Sequence, residues 1–280
     1  MPLDVAKDPY AIPEYLTARI DDLGLHDNVR DLVNHGYTVI QDPVAHALTD
    51  RVREAILRLA DDTAEPRKGQ SAALLLGRDP VFAEAVLVPR LLTLVEFLVG
   101  RGAILSQLTS SVRGEGAAPL ALHADNSWFP APFPSWEIMA TACWVTDEFT
   151  KEGGCTAVVP GTHVLKRHPN QQECAELNGL QPIIAAKGSL CLWDGSVWHG
   201  NYPRQIPGKR VVMHMTYTRA GFAPVEDYGH LDDAWLEGQP PELRDLLGRN
   251  IFLGSTTIAS GGPDPAKLMH TQRLARSQRA

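Results

Sequence analysis

His123-Ala124-Asp125 sets an imidazole and a carboxylate two residues apart, and a third candidate, His199, closes the strand-like segment LCLWDGSVWHG far downstream. On a strand, residues i and i+2 share a face, so the side chains of His123 and Asp125 converge. Two imidazoles and a carboxylate occupy one triangular face of an octahedral ion and leave three positions open, the arrangement used by non-haem iron(II) oxygenases. Harder ions prefer more oxygen donors, so the paired imidazoles favour iron over calcium or magnesium. His-X-Asp alone is weak, and the chain holds a second copy, His230-Leu231-Asp232, as an internal control. That copy sits among Gly, Asp and Glu with no β run after it. Asp194 is a rival carboxylate five residues before His199, but Asp194-Gly195 reads as a turn.

Arg210 follows His199 by eleven positions, at the start of RVVMHMTYT. A hairpin returning from His199 brings it near the metal, deeper inside a β core. An inward arginine needs an anionic partner, because an unpaired buried charge is costly. The neighbouring segments offer no obvious carboxylate. A dicarboxylic cosubstrate that chelates the metal at one end supplies one at the other, since arginine grips a carboxylate through two parallel hydrogen bonds. The plainer alternative is a surface strand residue beside Lys209. His214 lies four positions after Arg210 and shares its face, where it either lines a substrate pocket or packs as a barrel histidine.

These residues need a β scaffold, and the chain offers one from about residue 103 onward. Runs of strand formers cover 103–112, 136–145, 156–160, 182–186, 189–193 and 210–218, separated by Gly153-Gly154, Pro160-Gly161, Gly188, Asp194-Gly195 and Pro207-Gly208. Short strands punctuated in this way predict an antiparallel sandwich or barrel. The first hundred residues read mainly helical. Helices are expected at 27–34, from Asp42-Pro43 to about Leu59, and as one unit over 81–99, with GYTVI at 36–40 as a strand and a further helix near 241–247. The expectation is one domain over 1–280: a helical N-terminal layer at about 27–100, a β core at about 100–220, and a C-terminal lid or dimerisation segment at about 221–280. The fold class is mainly β with helices (α+β).

Composition narrows the function classes. The formal net charge of −7, from 26 Lys+Arg against 33 Asp+Glu, argues against a broad nucleic-acid surface. No apolar run reaches the roughly 18 residues of a membrane span. The first ten residues, MPLDVAKDPY, lack the basic and apolar regions of a secretion signal, and the four cysteines show no CxxC spacing. Free thiols in a reducing, cytoplasmic setting are expected.

Several blocks together resemble the phytanoyl-CoA dioxygenase family of Fe(II)/2-oxoglutarate-dependent oxygenases. They are GYTVI followed by a helix, HAD at 123–125, ACWVTDE at 142–148, GGCTAVVPGTH at 153–163, and WHGN at 198–201 with Arg210 beyond. The resemblance runs from about residue 36 to 220 and implies a double-stranded β-helix (jelly roll, cupin-like) core buttressed by N-terminal helices. It implies Fe(II) held by His123, Asp125 and His199, with O2 and 2-oxoglutarate as cosubstrates and Arg210 on the distal carboxylate. It also implies that Thr156 and Trp144 line the cosubstrate site, with Asn201 and Gln107 as further matches. Two positions depart from the family: Gly153-Gly154 replaces the usual Asn-Gly, and Arg113 stands where a lysine is common. No phosphate or acyl-CoA role is therefore carried over to position 113.

The expected activity is hydroxylation of a small apolar or lipid-like molecule with release of succinate and CO2. Asp125 argues against halogenation, which in related enzymes uses a small residue there. The loop NSWFPAPFPSW follows the His-X-Asp pair, so Asn126, Trp128 and Phe129, together with Trp198 and His214, are expected at the substrate. The competing readings are a cupin-like isomerase, hydrolase or cosubstrate-independent dioxygenase, and a non-catalytic jelly-roll binding module. Arg210 disfavours the first and the intact triad the second.

Overall fold

The computed structural model describes residues 11–249 apart from 42, 45 and 61–68. The start signal at Asp42 and the part of the C-terminal segment beyond 249 lie outside the described residues.

Two antiparallel sheets face each other. The larger has the order β1 (Tyr37–Ile40), β8 (Leu190–Asp194), β5 (Met139–Val145), β10 (Arg210–Thr218), β3 (Ile104–Arg113) and β2 (Gln70–Ala72). The smaller has the order β4 (Leu120–His123), β9 (Trp198–Asn201), β6 (Thr156–Val159) and β7 (Gln181–Pro182). This is the jelly-roll arrangement. Helices α1 (Glu14–Leu23), α2 (His26–His35), α3 (His46–Leu59), α4 (Pro80–Ala85) and α5 (Pro89–Val99) cover the outer face of the larger sheet.

Strand alternation sorts the side chains of the larger sheet into two cores. Ala140, Ala142 and Trp144 of β5 and Val211, Met213, Met215 and Tyr217 of β10 face the helices. Cys143, Val145, Cys191, Trp193 and Val212 face inward, toward the smaller sheet. A third cluster, Leu122, Ala124, Phe133 and Trp198, packs on the outer face of the smaller sheet, where the short helix α6 (Gln171–Glu176) also contacts β4.

The structure corrects several element expectations. The single helix over 81–99 is two, because Pro89 starts a new helix at its first turn rather than continuing the old one. Helix α1 and the three-residue β2 were not anticipated. The strand expected from 136 begins at Met139, and the one expected at 182–186 is a two-residue pairing plus a bridge from Ala185 to Phe149. Helices α7 (Asp233–Glu237) and α8 (Pro241–Leu246) do not lie over the barrel mouth. Tyr228, Leu231, Leu236, Leu243 and Leu246 join the core beneath the N-terminal helices, and buried Glu226 accepts from the backbone N–H groups of Leu74 and Leu108 at 2.7 Å each.

The PGTH block serves as a tie between layers. Gly161 N–H donates to His35 O (2.9 Å), and the buried His163 ring donates from Nε2 to Val33 O (3.1 Å). Gly36 ends α2 at φ 79° and leaves room for that ring: a Cβ there would meet His163 Nδ1 at 2.7 Å. Gly36→Ala combines left-handed strain with a clash against a buried ring, and is expected to cost about 1–3 kcal/mol in chemical denaturation. An unchanged midpoint would contradict this packing.

Candidate metal and cosubstrate centre

Strand β9 pairs on one side with β4 and on the other with β6, and the first pairing sets His199 directly opposite His123. The two ring centroids are 4.4 Å apart. Close approach requires Gly200, where a Cβ would sit 2.5 Å from the Leu120 carbonyl oxygen. The chain then turns at Asp125: Ser127 N–H donates back to Asp125 O and Asn126 N–H to Gly195 O at 3.1 Å. The outcome is a triangle. Asp125 Oδ1 lies 3.7 Å from His123 Nε2 and 3.5 Å from His199 Nε2, and the three candidate ligand atoms fall within 4.8 Å of one another.

The ring tautomers suit a metal. His123 Nδ1 lies 2.9 Å from Ala121 O and His199 Nδ1 lies 3.2 Å from Val197 O. A carbonyl can only accept, so each Nδ1 carries the hydrogen and each Nε2 presents its lone pair to the triangle. The carboxylate is held equally firmly. Trp193 Nε1 donates to Asp125 Oδ2 at 2.9 Å, and the Thr141 hydroxyl donates to the same carboxylate. Burial works against the charge on Asp125, but His199, then His123 and Thr141, outweigh it and hold the carboxyl below its usual range. Burial pulls His199 down, so it is neutral and ready to coordinate.

Behind the triangle lies Arg210, 2% exposed. Asn201, two residues after His199 on β9, accepts from Arg210 Nη1 (2.9 Å) and Nη2 (3.0 Å) with its amide oxygen turned to the guanidinium. Arg210 Nε has no partner, and among the described residues no carboxylate forms an ion pair with this guanidinium. Burial, then the charge of Arg113, lowers its pKa to about 10, and Arg204 adds to the repulsion. Arg113 stands directly across from Arg210 on β3. The surroundings of Arg210 are buried and cationic. Residues i and i+2 on a strand are roughly 7 Å apart, so Asn201 and the guanidinium it meets sit behind His199 by about the length of a five-carbon diacid.

The remaining anticipated residues divide. Thr156 is buried on β6 opposite Asn201 and bonds to the Cys143 thiol, on the inner face. Gln107 pairs in register with Thr216, whose hydroxyl meets that of Thr141 at 3.3 Å, so it shares the metal side of the sheet. His214 also faces inward, 3.2 Å from Cys143 Sγ, and burial first, then Arg210, lowers its pKa to about 4. Trp144 is a correction: it points to the helical layer, with Nε1 donating to Thr49 Oγ1 at 3.1 Å, and its neighbour Cys143 takes the inward place. Trp198 is another: it alternates away from His199 onto the outer face, donating to Arg167 O at 2.8 Å. Asn126 is buried and donates to Ser196 Oγ at 3.0 Å, so it braces the loop instead of facing a substrate. Trp128 and Phe129 lie in the loop between β4 and β5, Trp128 exposed and Phe129 packed against the outer cluster of Leu122, Ala124, Phe133 and Trp198.

That brace extends further. Ser196 N–H donates to Asp194 Oδ1 (2.7 Å), and Lys166 Nζ reaches Glu137 Oε1 (2.5 Å) and Asp194 Oδ2 (3.8 Å). Burial, then the neighbouring Glu137, pushes Asp194 well above the carboxylate range, so it keeps its proton. The rival carboxylate is thus part of a buried polar node under the metal loop.

Trp193 and Thr141 were not singled out as supports of Asp125. They are cross-strand neighbours on β8 and β5, a relation invisible until the register is known. Replacing Trp193 by Phe keeps the ring and removes the hydrogen bond. The expected result is a 10- to 100-fold weaker affinity for Mn(II) by calorimetry, alongside a stability loss of about 1–2 kcal/mol from the smaller ring at this buried position. Unchanged affinity would remove Trp193 from the site.

Residues 32–210 match the family model described as phytanoyl-CoA dioxygenase (PhyH). The uncharacterized protein Rv1501 of Mycobacterium tuberculosis is 28% identical over 238 residues, covering 79% of this chain and 86% of its own length. Dioxygenase af480 of Aspergillus fumigatus is 25% identical over 173 residues, covering 60% of this chain and 55% of its own. Among solved structures, HygX from Streptomyces hygroscopicus with nickel, 2-oxoglutarate and hygromycin B bound superposes with a TM-score of 0.61 at 19% identity, covering 71% of this chain and 89% of that one. SnoN, the epimerase from nogalamycin biosynthesis crystallised with Fe3+, alpha ketoglutarate and nogalamycin RO, gives 0.60 at 18% identity, covering 79% and 94%. The chain belongs to the phytanoyl-CoA dioxygenase family.

Proposed function

We propose that this enzyme binds Fe(II) through His123 Nε2, Asp125 Oδ1 and His199 Nε2, binds 2-oxoglutarate between that ion and Arg210, and hydroxylates a small organic molecule. Bound there, iron(II) couples the decarboxylation of 2-oxoglutarate to succinate and CO2 with oxidation of a substrate C–H bond by O2. The chain's own groups do the rest. The Nδ1–H bonds to Ala121 and Val197 fix both imidazoles, and Trp193 and Thr141 fix the carboxylate. Arg210 binds the distal carboxylate, with its plane already set by Asn201. Phe149, Val212 and Cys143 keep the surroundings apolar and exclude water, which strengthens that ion pair.

The observation that carries this reading is the buried guanidinium with no carboxylate partner among the described residues. A metal hydrolase or isomerase on the same scaffold has no use for it. Four free cysteines, three of them buried, support a reducing cytoplasmic setting. None of the described helices is long and apolar enough to cross a membrane.

Calorimetry under nitrogen with Mn(II)-loaded protein tests the assignment. Arg210→Met is expected to weaken 2-oxoglutarate binding by about 100-fold while leaving Mn(II) affinity within a few-fold of wild type. His199→Ala is expected to lose metal binding and succinate formation together. Undiminished 2-oxoglutarate affinity in the first variant, or turnover in the second, would refute these roles.

A further inference from the structure

The end of the barrel opposite Arg210 carries an unusual rim. Thr216 on β10 is level with Thr141, which holds Asp125, and Thr218 lies two residues further on, roughly 7 Å along the strand. Beyond it the chain leaves the sheet at Arg219, whose N–H donates to Ile138 O. Two loops border this end. Residues 126–136 run NSWFPAPFPSW and residues 220–225 run AGFAPV, and neither contains an ionisable side chain. Three prolines stiffen the first loop, which is pinned at Phe133 by a 2.7 Å bond to Lys166 O.

Four rings gather on these loops. Phe129 meets Phe222 edge to face at 5.6 Å, and Trp136 lies 6.3 Å from the same Phe222 at 47°. Arg219 caps one face of Trp136 at 5.0 Å and donates from Nε to Glu137 O. Trp128 and Trp136 remain 63% and 43% exposed. At the same end of β10, Thr218 shares the inward face of Thr216, and its hydroxyl is buried without a hydrogen-bond partner. A buried hydroxyl with nothing to bond is costly unless a ligand supplies the partner.

We infer that the substrate is an uncharged, rigid, ring-bearing molecule that stacks within the Phe129–Trp136–Phe222 collar and bonds to Thr218 through a hydroxyl or carbonyl oxygen. The inference rests on the oxygenase reading above and narrows its substrate class. Flat π faces gain most from another ring, and a rigid ring gives up less conformational entropy on binding than a flexible chain. The phosphates of an acyl-CoA would need several cations, whereas these two loops carry none and Arg219 beside them is engaged with the Trp136 ring and Glu137 O. Two exposed indoles on the loops and a buried, unpaired hydroxyl at the same end of the barrel fit an apolar pocket with a single orienting polar group.

The test is ligand binding to Mn(II)- and 2-oxoglutarate-loaded protein under nitrogen, read by tryptophan fluorescence and calorimetry. The probes are 9-anthracenemethanol, 1-decanol and decanoyl-CoA. Saturable binding of the anthracene alcohol, at least tenfold tighter than either chain probe, is expected. Trp136→Ala and Phe222→Ala should weaken it at least tenfold, and Thr218→Val at least fivefold, with 2-oxoglutarate affinity within twofold of wild type. The retained 2-oxoglutarate affinity certifies the fold of each variant. Trp128→Ala, at an exposed position, provides a further variant that keeps the fold and is expected to weaken the probe about threefold. Tighter binding of decanol or decanoyl-CoA, or ring binding untouched by all four variants, would overturn the inference. Failure of wild type to bind 2-oxoglutarate at all would instead count against the oxygenase reading.

Discussion

Strand β9 is bonded on both sides, to β4 and to β6, and that double pairing is the constraint on which the site depends. It sets His199 opposite His123 and Asn201 opposite Thr156 within four residues. A one-residue slip would turn every one of these side chains to the outer face. Such a slip is opposed on that face by Trp198, which is packed against Leu122 and Phe133 and bonded through its indole to Arg167. Thr162 of the PGTH block adds a further lock, accepting the Trp198 backbone N–H at 2.9 Å. Residues that never approach the metal thus decide whether its ligands converge.

The second half of the site comes from the larger sheet, where alternation sends one set of side chains to the helices and the other to the interior. Apolar packing of the helix-facing set fixes β5 and β10, and the inward set then carries Thr141, Cys143, Arg210, His214 and Thr216 at defined heights. Burial makes this set electrostatically forceful. A guanidinium beside two other arginines and away from any carboxylate attracts a dianion strongly, whereas the same group in water would do little. At the opposite end the loops carry rings in place of charges. The proposed charge recognition at Arg210 and the proposed apolar recognition at the loops would thereby be separated along one strand.

Much of this was legible in the amino-acid order. The residue types and spacing of His-X-Asp, the later histidine and the arginine that opens a strand were legible, but β4 ends at His123 and Asp125 lies in the bend after it, and LCLWDGSVWHG divides into β8 and β9 of different sheets, so period-two alternation alone does not bring the three side chains together. The helical layer was legible from its apolar spacing, except where Pro89 opens a second helix. Less legible was which face a fully buried strand turns inward. Every residue of β5 is buried, so the sequence holds no polar alternation to distinguish Cys143 from Trp144, and the larger ring was given the inward place that the thiol occupies. Trp198 is a different case: with His199 turned inward, period-two alternation already sends its neighbour on β9 to the outer face. Asn126 failed differently: its buried bond to Ser196 depends on a turn seventy residues away, and such long-range pairing has no local signature.

The most direct measurement is an anaerobic crystal structure with Mn(II) and 2-oxoglutarate. The account requires one ion bonded to His123, Asp125 and His199, with the far carboxylate of the diacid on both terminal nitrogens of Arg210. An ion held by other side chains, or a diacid seated away from that guanidinium, would contradict it.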